Sequence, residues 1–331
     1  MAKILITGAG GFIGSSFVRR ALLTTTHTIR AFARRTCDAR LQQRLHNSEQ
    51  VKQALESGRL EICLGDLCGD ISGLCEGIDY VVNSGAKTFV DHSIKDPGPF
   101  MESNTVGTYR LLEEAKRQNV KKFLQVSTDE VYGSILQGAY DEHSPVNPTN
   151  PYSASKAAAD AWVQCYPHAY GLDTVITRTE NNYGPFQHPQ KAIPVFTKAI
   201  MRGEKIPLYG DGLHIRQWLW VADHVDALLM LVEKETERGG IYHVAGGEEI
   251  TNIELAARII RAVTGKPLDE QEIRERINFI DDSKIRPGHD KRYALYSDKI
   301  RALGWKPQVN IDNGIQMVVE WHMKHPSWTG I

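Results

Sequence analysis

The stretch that decides the fold is Lys3-Ile4-Leu5-Ile6-Thr7-Gly8-Ala9-Gly10-Gly11-Phe12-Ile13-Gly14, close to the start of a chain of 331 residues. Its first five residues form an apolar run that predicts a β-strand, and the apolar positions after Gly14 predict a helix. A strand, a glycine turn and a helix in this order are typical of a dinucleotide site. A tight structural turn is the plainer alternative. The dinucleotide interpretation assigns cofactor binding to Gly8, Gly11, Phe12, Ile13 and Gly14.

The residues after the second predicted strand bear on which dinucleotide is bound. This strand runs from about His27 to Ala33 and continues into Arg34 and Arg35. An acidic residue near this position suits the ribose hydroxyls of NAD, whereas an arginine suits the 2′-phosphate of NADP. The nearest acid is Asp38. The sequence therefore predicts NAD or NADP, with NADP slightly favoured, and the alternative for the arginine pair is a solvated basic loop.

Strands and helices alternate along most of the chain. Further strands are predicted at Leu60–Leu64, Asp79–Asn83, Lys121–Thr128 and Thr174–Thr179, and helices at Asn104–Gln118, Pro194–Arg202, Asp223–Glu235 and Thr251–Thr264. This alternation predicts an α/β fold, a Rossmann-like doubly wound parallel sheet with a smaller, interleaved C-terminal α/β substrate domain. The predicted domains are residues 1–178, rejoined by parts of 215–245, and a substrate-binding region, 179–331.

Two of the connecting segments extend the predicted cofactor site. Gly65-Asp66-Leu67 follows the third strand and places Asp66 where it can face an adenine. Ser84-Gly85-Ala86 follows the fourth strand, and its small residues let the backbone approach a cofactor. Asp66, Leu67 and Ala86 are therefore added to the predicted cofactor-binding residues.

A second stretch carries the groups for proton transfer. Ser127-Thr128-Asp129-Glu130-Val131-Tyr132-Gly133 ends the fifth strand, where ligands of open α/β sheets bind. Tyr152 and Lys156 follow at i, i+4 spacing, which places both on one face of a helix. An ammonium beside a phenol favours the phenolate, so we expect Lys156 to lower the pKa of Tyr152. Taken singly, an acid pair is usually a solvated turn; the joint occurrence favours a catalytic site.

Composition narrows the class of partner. The chain has 39 basic and 40 acidic residues and a net charge of -1, which disfavours nucleic acid and membrane surfaces as partners. Its 5 cysteines lack metal-ligand spacing, so no metal is predicted. No run approaches a membrane span, and the N-terminus lacks the form of a signal peptide. A small-molecule partner and a cytoplasmic location are predicted.

These motifs closely resemble the extended short-chain dehydrogenase/reductase family, and within it the nucleotide-sugar 4,6-dehydratases. The glycine stretch, Gly65-Asp66-Leu67 and Tyr152-x-x-x-Lys156 are marks of the wider family. Arg178-x-x-Asn181-x-Tyr183-Gly184-Pro185 is similar to the extended branch, and Thr128-Asp129-Glu130 is the most specific mark. The resemblance covers nearly the whole chain and implies a homodimer that pairs the two helices at 104–118 and 152–166.

The resemblance implies a hydro-lyase that converts an NDP-hexose, dTDP-glucose first among them, to an NDP-4-keto-6-deoxyhexose. The steps are oxidation at C4, elimination of water across C5 and C6, and return of hydride to C6 from a tightly bound, recycled NAD or NADP. Tyr152, supported by Lys156, takes the 4-hydroxyl proton. Glu130 removes the C5 proton, Asp129 protonates the leaving hydroxyl, and Thr128 bonds the 4-oxygen. By the same resemblance substrate is bound by Thr88, Asn181, Lys191, Arg216, Asn252 and Arg286.

Some positions depart from the family pattern. After the fourth strand this chain has Ala86-Lys87-Thr88-Phe89-Val90-Asp91, with lysine for a usual glutamate and phenylalanine for a usual histidine. Gln217 replaces a usual aspartate. These changes leave the nucleotide (dTDP, UDP or GDP), the sugar and the pathway open. The alternatives are an NDP-sugar 4-epimerase, a 5,6-dehydratase and, outside enzymes, a cofactor-binding sensor or scaffold.

Overall fold

A computed structural model describes residues 1–329 except 36–42, 46–47, 284 and 287–288. Asp38, weighed above against the arginine pair, lies outside the described residues. Four cysteines within the described part are free thiols, Cys63, Cys68, Cys75 and Cys165. No helix in this part of the chain combines the length and the apolar character that crossing a bilayer requires.

Seven parallel strands form the central sheet, which confirms the predicted fold class. Numbered in chain order, the strands lie side by side as β10-β6-β5-β4-β1-β2-β3. β2 and β3 therefore lie on one side of β1, and β4, β5, β6 and β10 lie on the other. The strands are β1 (Lys3–Thr7), β2 (Thr28–Ala33), β3 (Leu60–Leu64), β4 (Tyr80–Asn83), β5 (Lys122–Thr128), β6 (Thr174–Thr179) and β10 (Gly240–Val244). The switch between β1 and β4 is the place where such sheets open a crevice for ligands.

Two small sheets lie outside the central one. The first has the order β11-β9-β7 and the second pairs β12 with β8. Their strands are β7 (Asn181–Tyr183), β8 (Ile206–Tyr209), β9 (Ile215–Trp220), β11 (Glu249–Thr251) and β12 (Ile277–Ile280).

The helices occur between and after the strands. Their bounds are α1 (Phe12–Thr24), α2 (Glu49–Glu56), α3 (Val90–Lys95), α4 (Gly107–Arg117), α5 (Pro151–Tyr170), α6 (Ala192–Met201), α7 (Val221–Glu233), α8 (Asn252–Thr264), α9 (Glu270–Glu275), α10 (Asp298–Ala302), α11 (Ile311–Lys324) and α12 (Pro326–Thr329). α5 begins with a capping box between Asn150 and Ser153 and ends at left-handed Gly171. A capping box between Thr251 and Glu254 begins α8, at the start of the predicted helix Thr251–Thr264.

The helix predicted at Asn104–Gln118 differs in its first turns. A short helix at Gly98–Phe100 and a π-helical stretch at Met101–Val106 precede α4. The wider turn directs the Asn104 side chain inward, where its amide accepts from the Lys87 backbone N–H at 2.8 Å and donates to Ser155 Oγ at 2.9 Å. The interior hydrogen bonds of Asn104 thus replace a regular α-helical start, and such π segments are frequent at functional sites.

Two of the hydrophobic cores among the described residues support the site. The first joins the central sheet to α1 and α7, with Phe17 and Leu228 fully buried within it. The second joins the small sheets to α6, α8 and α11, around Tyr183, Leu255 and Val318. β10 and α7 therefore pack with the N-terminal strands, although they come late in the chain. The predicted domain bounds stay a prediction.

Candidate active site

The glycine turn brings two strand ends into close contact. Gly8 has φ +68°, and a Cβ placed on it would lie 2.8 Å from the backbone of Gly85. A Cβ on Gly14 would overlap the carbonyl oxygen of Gly8, so α1 begins directly against the turn. Gly11 is the N-cap of α1 and offers no side-chain cap to the first-turn N–H groups. These open N–H groups and the close backbone fit the pyrophosphate of a dinucleotide.

The other predicted cofactor residues lie along the same edge of the sheet. Arg34 and Arg35 are exposed directly after β2. Asp66 is exposed and accepts a hydrogen bond from the Cys68 N–H at 2.9 Å, which fixes the turn that buries Leu67. Ala86 is half-buried after β4. The structure thus brings the ends of β1 to β4 together. Within the described residues, neither Arg34 nor Arg35 forms a salt bridge.

The predicted acid pair lies immediately after β5. Thr128 is the N-cap of a single 3-10 turn, Asp129–Tyr132, and its hydroxyl donates to Asp129 Oδ1 at 3.2 Å. Burial and, to a smaller extent, the neighbouring charge of Glu130 together raise the pKa of the Asp129 carboxyl to about 7. Burial also raises the pKa of Glu130, while Lys191 and Arg216 oppose that shift. Asp129 can hold a proton near neutral pH, and nearby cations favour the charged form of Glu130.

Tyr152 and Lys156 lie on the first turns of α5, as predicted, and both are buried. In the protein chain alone the pKa of Tyr152 is raised, so the lowering expected from Lys156 does not prevail. Burial raises the pKa of Tyr152, Glu130 adds to this effect, and a hydrogen bond with Thr128 only partly opposes it. The ammonium of Lys156 instead donates to the Val126 carbonyl at 2.6 Å, and burial lowers its pKa to about 8.

A buried polar network behind these residues was not predicted. Arg178 donates to Asp160 at 3.0 Å and to the Tyr132 hydroxyl at 2.7 Å. Tyr132 shares a 2.6 Å hydrogen bond with His243, a residue of β10. Asp160 follows Lys156 at i+4 on the buried face of α5, and that spacing is the signal that could have found it. The network joins the middle of α5 to the turn after β5 and to β6 and β10.

Three cations predicted to bind substrate come together near Glu130. Lys191 donates to the Thr88 carbonyl at 3.3 Å, and its ammonium lies 4.5 Å from the centre of the Phe89 ring. Arg286 forms a salt bridge with Asp91, which the sequence had not connected with it. These contacts place Lys191 and Arg286 over the segment that departs from the family pattern.

Arg216, on β9, is buried. Its guanidinium donates to the Asp290 carbonyl at 2.8 Å and lies 4.4 Å from the centre of the Tyr293 ring. Asn252 begins α8, and its N–H donates to the His214 carbonyl at 2.9 Å. Asn181 begins β7 and pairs in register with Trp218, while Thr88 is exposed.

A cluster of His214, Asp282 and His289 has ligand atoms within 4.8 Å of one another. His289 Nε2 lies 3.3 Å from Arg216 and 3.4 Å from Arg286. Because guanidinium groups only donate, this nitrogen accepts, and Nδ1 donates to Asp282 at 2.7 Å. Two positively charged guanidinium groups at this distance disfavour a metal ion in the cluster. His289 instead accepts from both groups, so the cluster orients Arg216 and Arg286.

Known proteins share this architecture over the whole chain. The family model described as GDP-mannose 4,6 dehydratase matches residues 5–318. The chain belongs to this family. It is 41% identical over 329 residues to a dTDP-glucose 4,6-dehydratase of an Actinoplanes species, which covers 98% of this chain and 99% of the relative.

Solved structures extend the likeness to the fold. The dTDP-glucose 4,6-dehydratase of Streptomyces venezuelae, solved with NAD and dTDP bound, has a TM-score of 0.88 and 36% identity, covering 99% of both chains. A UDP-glucuronic acid 4-epimerase of Bacillus cereus, in complex with UDP-glucuronic acid and NAD, has a TM-score of 0.86 and 25% identity, covering 98% of this chain and 99% of its own. The predicted resemblance is confirmed, and with it the reaction class, a nucleotide-sugar 4,6-dehydratase.

Proposed function

We propose that this dehydratase converts dTDP-glucose to dTDP-4-keto-6-deoxyglucose, with other NDP-hexoses as the alternatives. The observation that carries the proposal is the acid pair next to Tyr152: Asp129 can hold a proton near neutral pH, and cations surround Glu130. Two carboxyl groups in different environments can divide the roles of acid and base. The relatives named dTDP-glucose 4,6-dehydratase support the choice of nucleotide.

The roles of the residues follow from this arrangement. Tyr152 takes the proton of the 4-hydroxyl while Thr128 holds the 4-oxygen. Glu130 then removes the C5 proton, which a neighbouring 4-ketone makes acidic. Asp129 gives its proton to the leaving 6-hydroxyl, and water departs. Three cations favour the charged form of Glu130, namely Lys191, Arg216 and Arg286. They bind the anionic diphosphate and orient the sugar.

The glycine turn, Asp66, Leu67 and Ala86 would hold the cofactor, which supplies the hydride acceptor and donor when bound. The pKa of Tyr152 must fall before it acts as a base, and the positive charges available for this are Lys156 and an oxidised nicotinamide. Solved relatives contain NAD. Arg34 and Arg35 support NADP in this chain, since an arginine at this place suits a 2′-phosphate. Release of the bound cofactor by denaturation, followed by chromatography, distinguishes the two.

A homodimer through α4 and α5 also belongs to the proposal. Tyr109 on α4 and Trp162 on α5 are 39% and 42% exposed, with ring centres 5.0 Å apart. An exposed aromatic pair of this kind fits a helical interface between two copies. We expect sedimentation to show a dimer, and Trp162→Glu to shift it toward the monomer. A monomeric wild-type protein at micromolar concentration would contradict this part. The cytoplasmic location stays a prediction.

The test is incubation of the purified protein with dTDP-, UDP- and GDP-hexoses, followed by mass and by the alkali-induced absorbance of a 4-keto-6-deoxy sugar. We expect dTDP-glucose to lose water. Interconversion at C4 without loss of water would instead indicate a 4-epimerase, and arrest at an unsaturated sugar would indicate a 5,6-dehydratase. A protein that binds cofactor but alters no sugar would fit the sensor or scaffold alternative.

A further inference from the structure

A third carboxyl group lies beside the acid pair and has no role in the steps above. Thr128 of β5 and Thr179 of β6 are register partners. The residues that follow them, Asp129 and Glu180, therefore leave two neighbouring parallel strands at the same edge, where strands are about 4.8 Å apart. Glu180 is 3% exposed.

The surroundings of Glu180 favour a neutral carboxyl group. Oε1 accepts from the Gly246 N–H at 2.6 Å, while Oε2 is buried and has no partner within the described residues. A buried carboxylate with one bare oxygen is strongly disfavoured, and burial raises the pKa of Glu180 well above its usual value. Because Oε1 accepts a hydrogen bond, the proton of a neutral Glu180 belongs on Oε2, where the O–H has no acceptor within the described residues.

The charged groups that face Glu180 come from three other elements. Asp129, at the end of β5, and Glu249, on β11, both favour its neutral form, while Arg301, on α10, opposes them. Glu249 already forms a salt bridge with Arg292 at 2.6 Å. Asp129 is the carboxyl group next to Glu180 that changes charge during elimination, so it is the acceptor that the reaction provides.

We propose that Glu180 is a positioning residue for the elimination of water: a protonated carboxyl group whose O–H stabilises the Asp129 carboxylate once Asp129 has given up its proton. The inference rests on the proposed function. In this step the O–H bond of Asp129 breaks, its proton joins the departing hydroxyl to form water, and Glu180 keeps its own proton. The unsatisfied O–H of the resting site gains its acceptor only during the reaction.

Paired substitutions test this role. In Glu180→Gln the amide keeps an acceptor for Gly246 and a neutral donor for Asp129, whereas Glu180→Leu removes both. We expect Glu180→Leu to lose about tenfold to a hundredfold in kcat, the scale of one hydrogen bond to a charged group, and Glu180→Gln to restore most of it. Glu114→Gln, which alters a buried carboxyl group on α4, is the matched control.

The pH profile separates this role from a structural one. Asp129 is an acid only while protonated, so elimination falls as pH rises through its pKa, about 7. Loss of the donor raises that pKa, and the alkaline limb of kcat should move to higher pH in Glu180→Leu but not in Glu180→Gln. A lower kcat with an unmoved limb, or two variants that both match wild type, would overturn the proposal.

Infrared spectroscopy gives a readout that does not depend on activity. Above the pKa of Asp129, we expect the holoenzyme to retain the C=O band of a protonated carboxylic acid, and Glu180→Gln to lose it. A wild-type protein that shows no such band refutes a neutral Glu180. If the band is present and no nucleotide sugar is dehydrated, the proposed function fails while the protonation of Glu180 stands.

Discussion

The cofactor side and the substrate side of the active site are built in different ways. On the cofactor side, Gly8, Gly11 and Gly14 lie within one turn of chain, and contact is made by backbone that no Cβ obstructs. On the substrate side, Lys191, Arg216 and Arg286 come from separate segments, and each is held by other protein groups. A local backbone motif therefore forms one side, and tertiary packing forms the other.

Glu130 lies between the two sides and should give the largest effect. Glu130→Gln removes the base for the C5 proton but leaves Tyr152 and the glycine turn intact. We expect oxidation at C4 to continue, while loss of the C5 proton slows about a hundredfold to ten-thousandfold. The measurement is solvent exchange of deuterium placed at C5.

The control for Glu130 is Glu56→Gln, an exposed carboxyl group on α2. It should exchange deuterium at the wild-type rate. Wild-type exchange in Glu130→Gln as well would remove Glu130 from the role of base.

Gly14→Ala should weaken cofactor binding and leave the substrate side unchanged. The added Cβ overlaps the Gly8 carbonyl, so α1 must move away from the turn. Overpacking of this kind costs about 1–3 kcal/mol, which predicts about tenfold to a hundredfold weaker cofactor retention. The cofactor that remains after purification gives the measure.

Gly98→Ala is the matched control, because its nearest contact would be 3.9 Å away. Equal cofactor content in the two variants would show that the turn tolerates a side chain, contrary to the close approach described here.

Arg286→Gln should weaken substrate binding and leave the cofactor side unchanged. Removal of the guanidinium takes away a cation near Glu130 and leaves Asp91 without its salt bridge. One charged hydrogen bond predicts about a tenfold higher KM with little change in kcat. Steady-state kinetics measure both, and Arg274→Gln, an exposed arginine on α9, should leave both unchanged. A fall in kcat at constant KM would instead assign Arg286 to the transition state.

The same contrast explains what the sequence could predict. The central sheet, Tyr152 with Lys156, and the capping box of α8 were predictable because period, spacing and local hydrogen bonding determine them. The direction of the Tyr152 pKa was not, since burial and the charge of Glu130 depend on how α5 packs on β5. The sequence placed Lys156 correctly but could not show that its ammonium binds the Val126 carbonyl.

Pairs of residues far apart in the chain also could not be predicted from the sequence. Asp91 and Arg286 are 195 positions apart, and no local pattern connects them. Glu180, between Arg178 and Asn181, has no sequence signal of its own, because a single acid after a strand is usually solvated. Only the pairing of Thr128 with Thr179 places it beside Asp129. Motif residues are predictable where a single segment of the chain contains the functional groups. Their electrostatic partners can be identified only from the three-dimensional structure.

The smallest expected effect comes from Phe89, one of the departures from the family pattern predicted from the sequence. Its ring lies 5.0 Å from His188 and 4.5 Å below the ammonium of Lys191, so it helps to position that cation. Phe89→Leu keeps apolar volume but removes the aromatic face, a loss of about 0.5–1 kcal/mol that predicts about a twofold to fivefold higher KM. Phe279→Leu, at an exposed ring, is the control. Because Lys191 acts on the charge of Glu130, the proposed base at C5 of the sugar, we expect the ratio of kcat/KM between two hexoses of one nucleotide to change as well. An unchanged KM would show that the Thr88 carbonyl alone positions Lys191, and that the substrate side tolerates this departure without consequence.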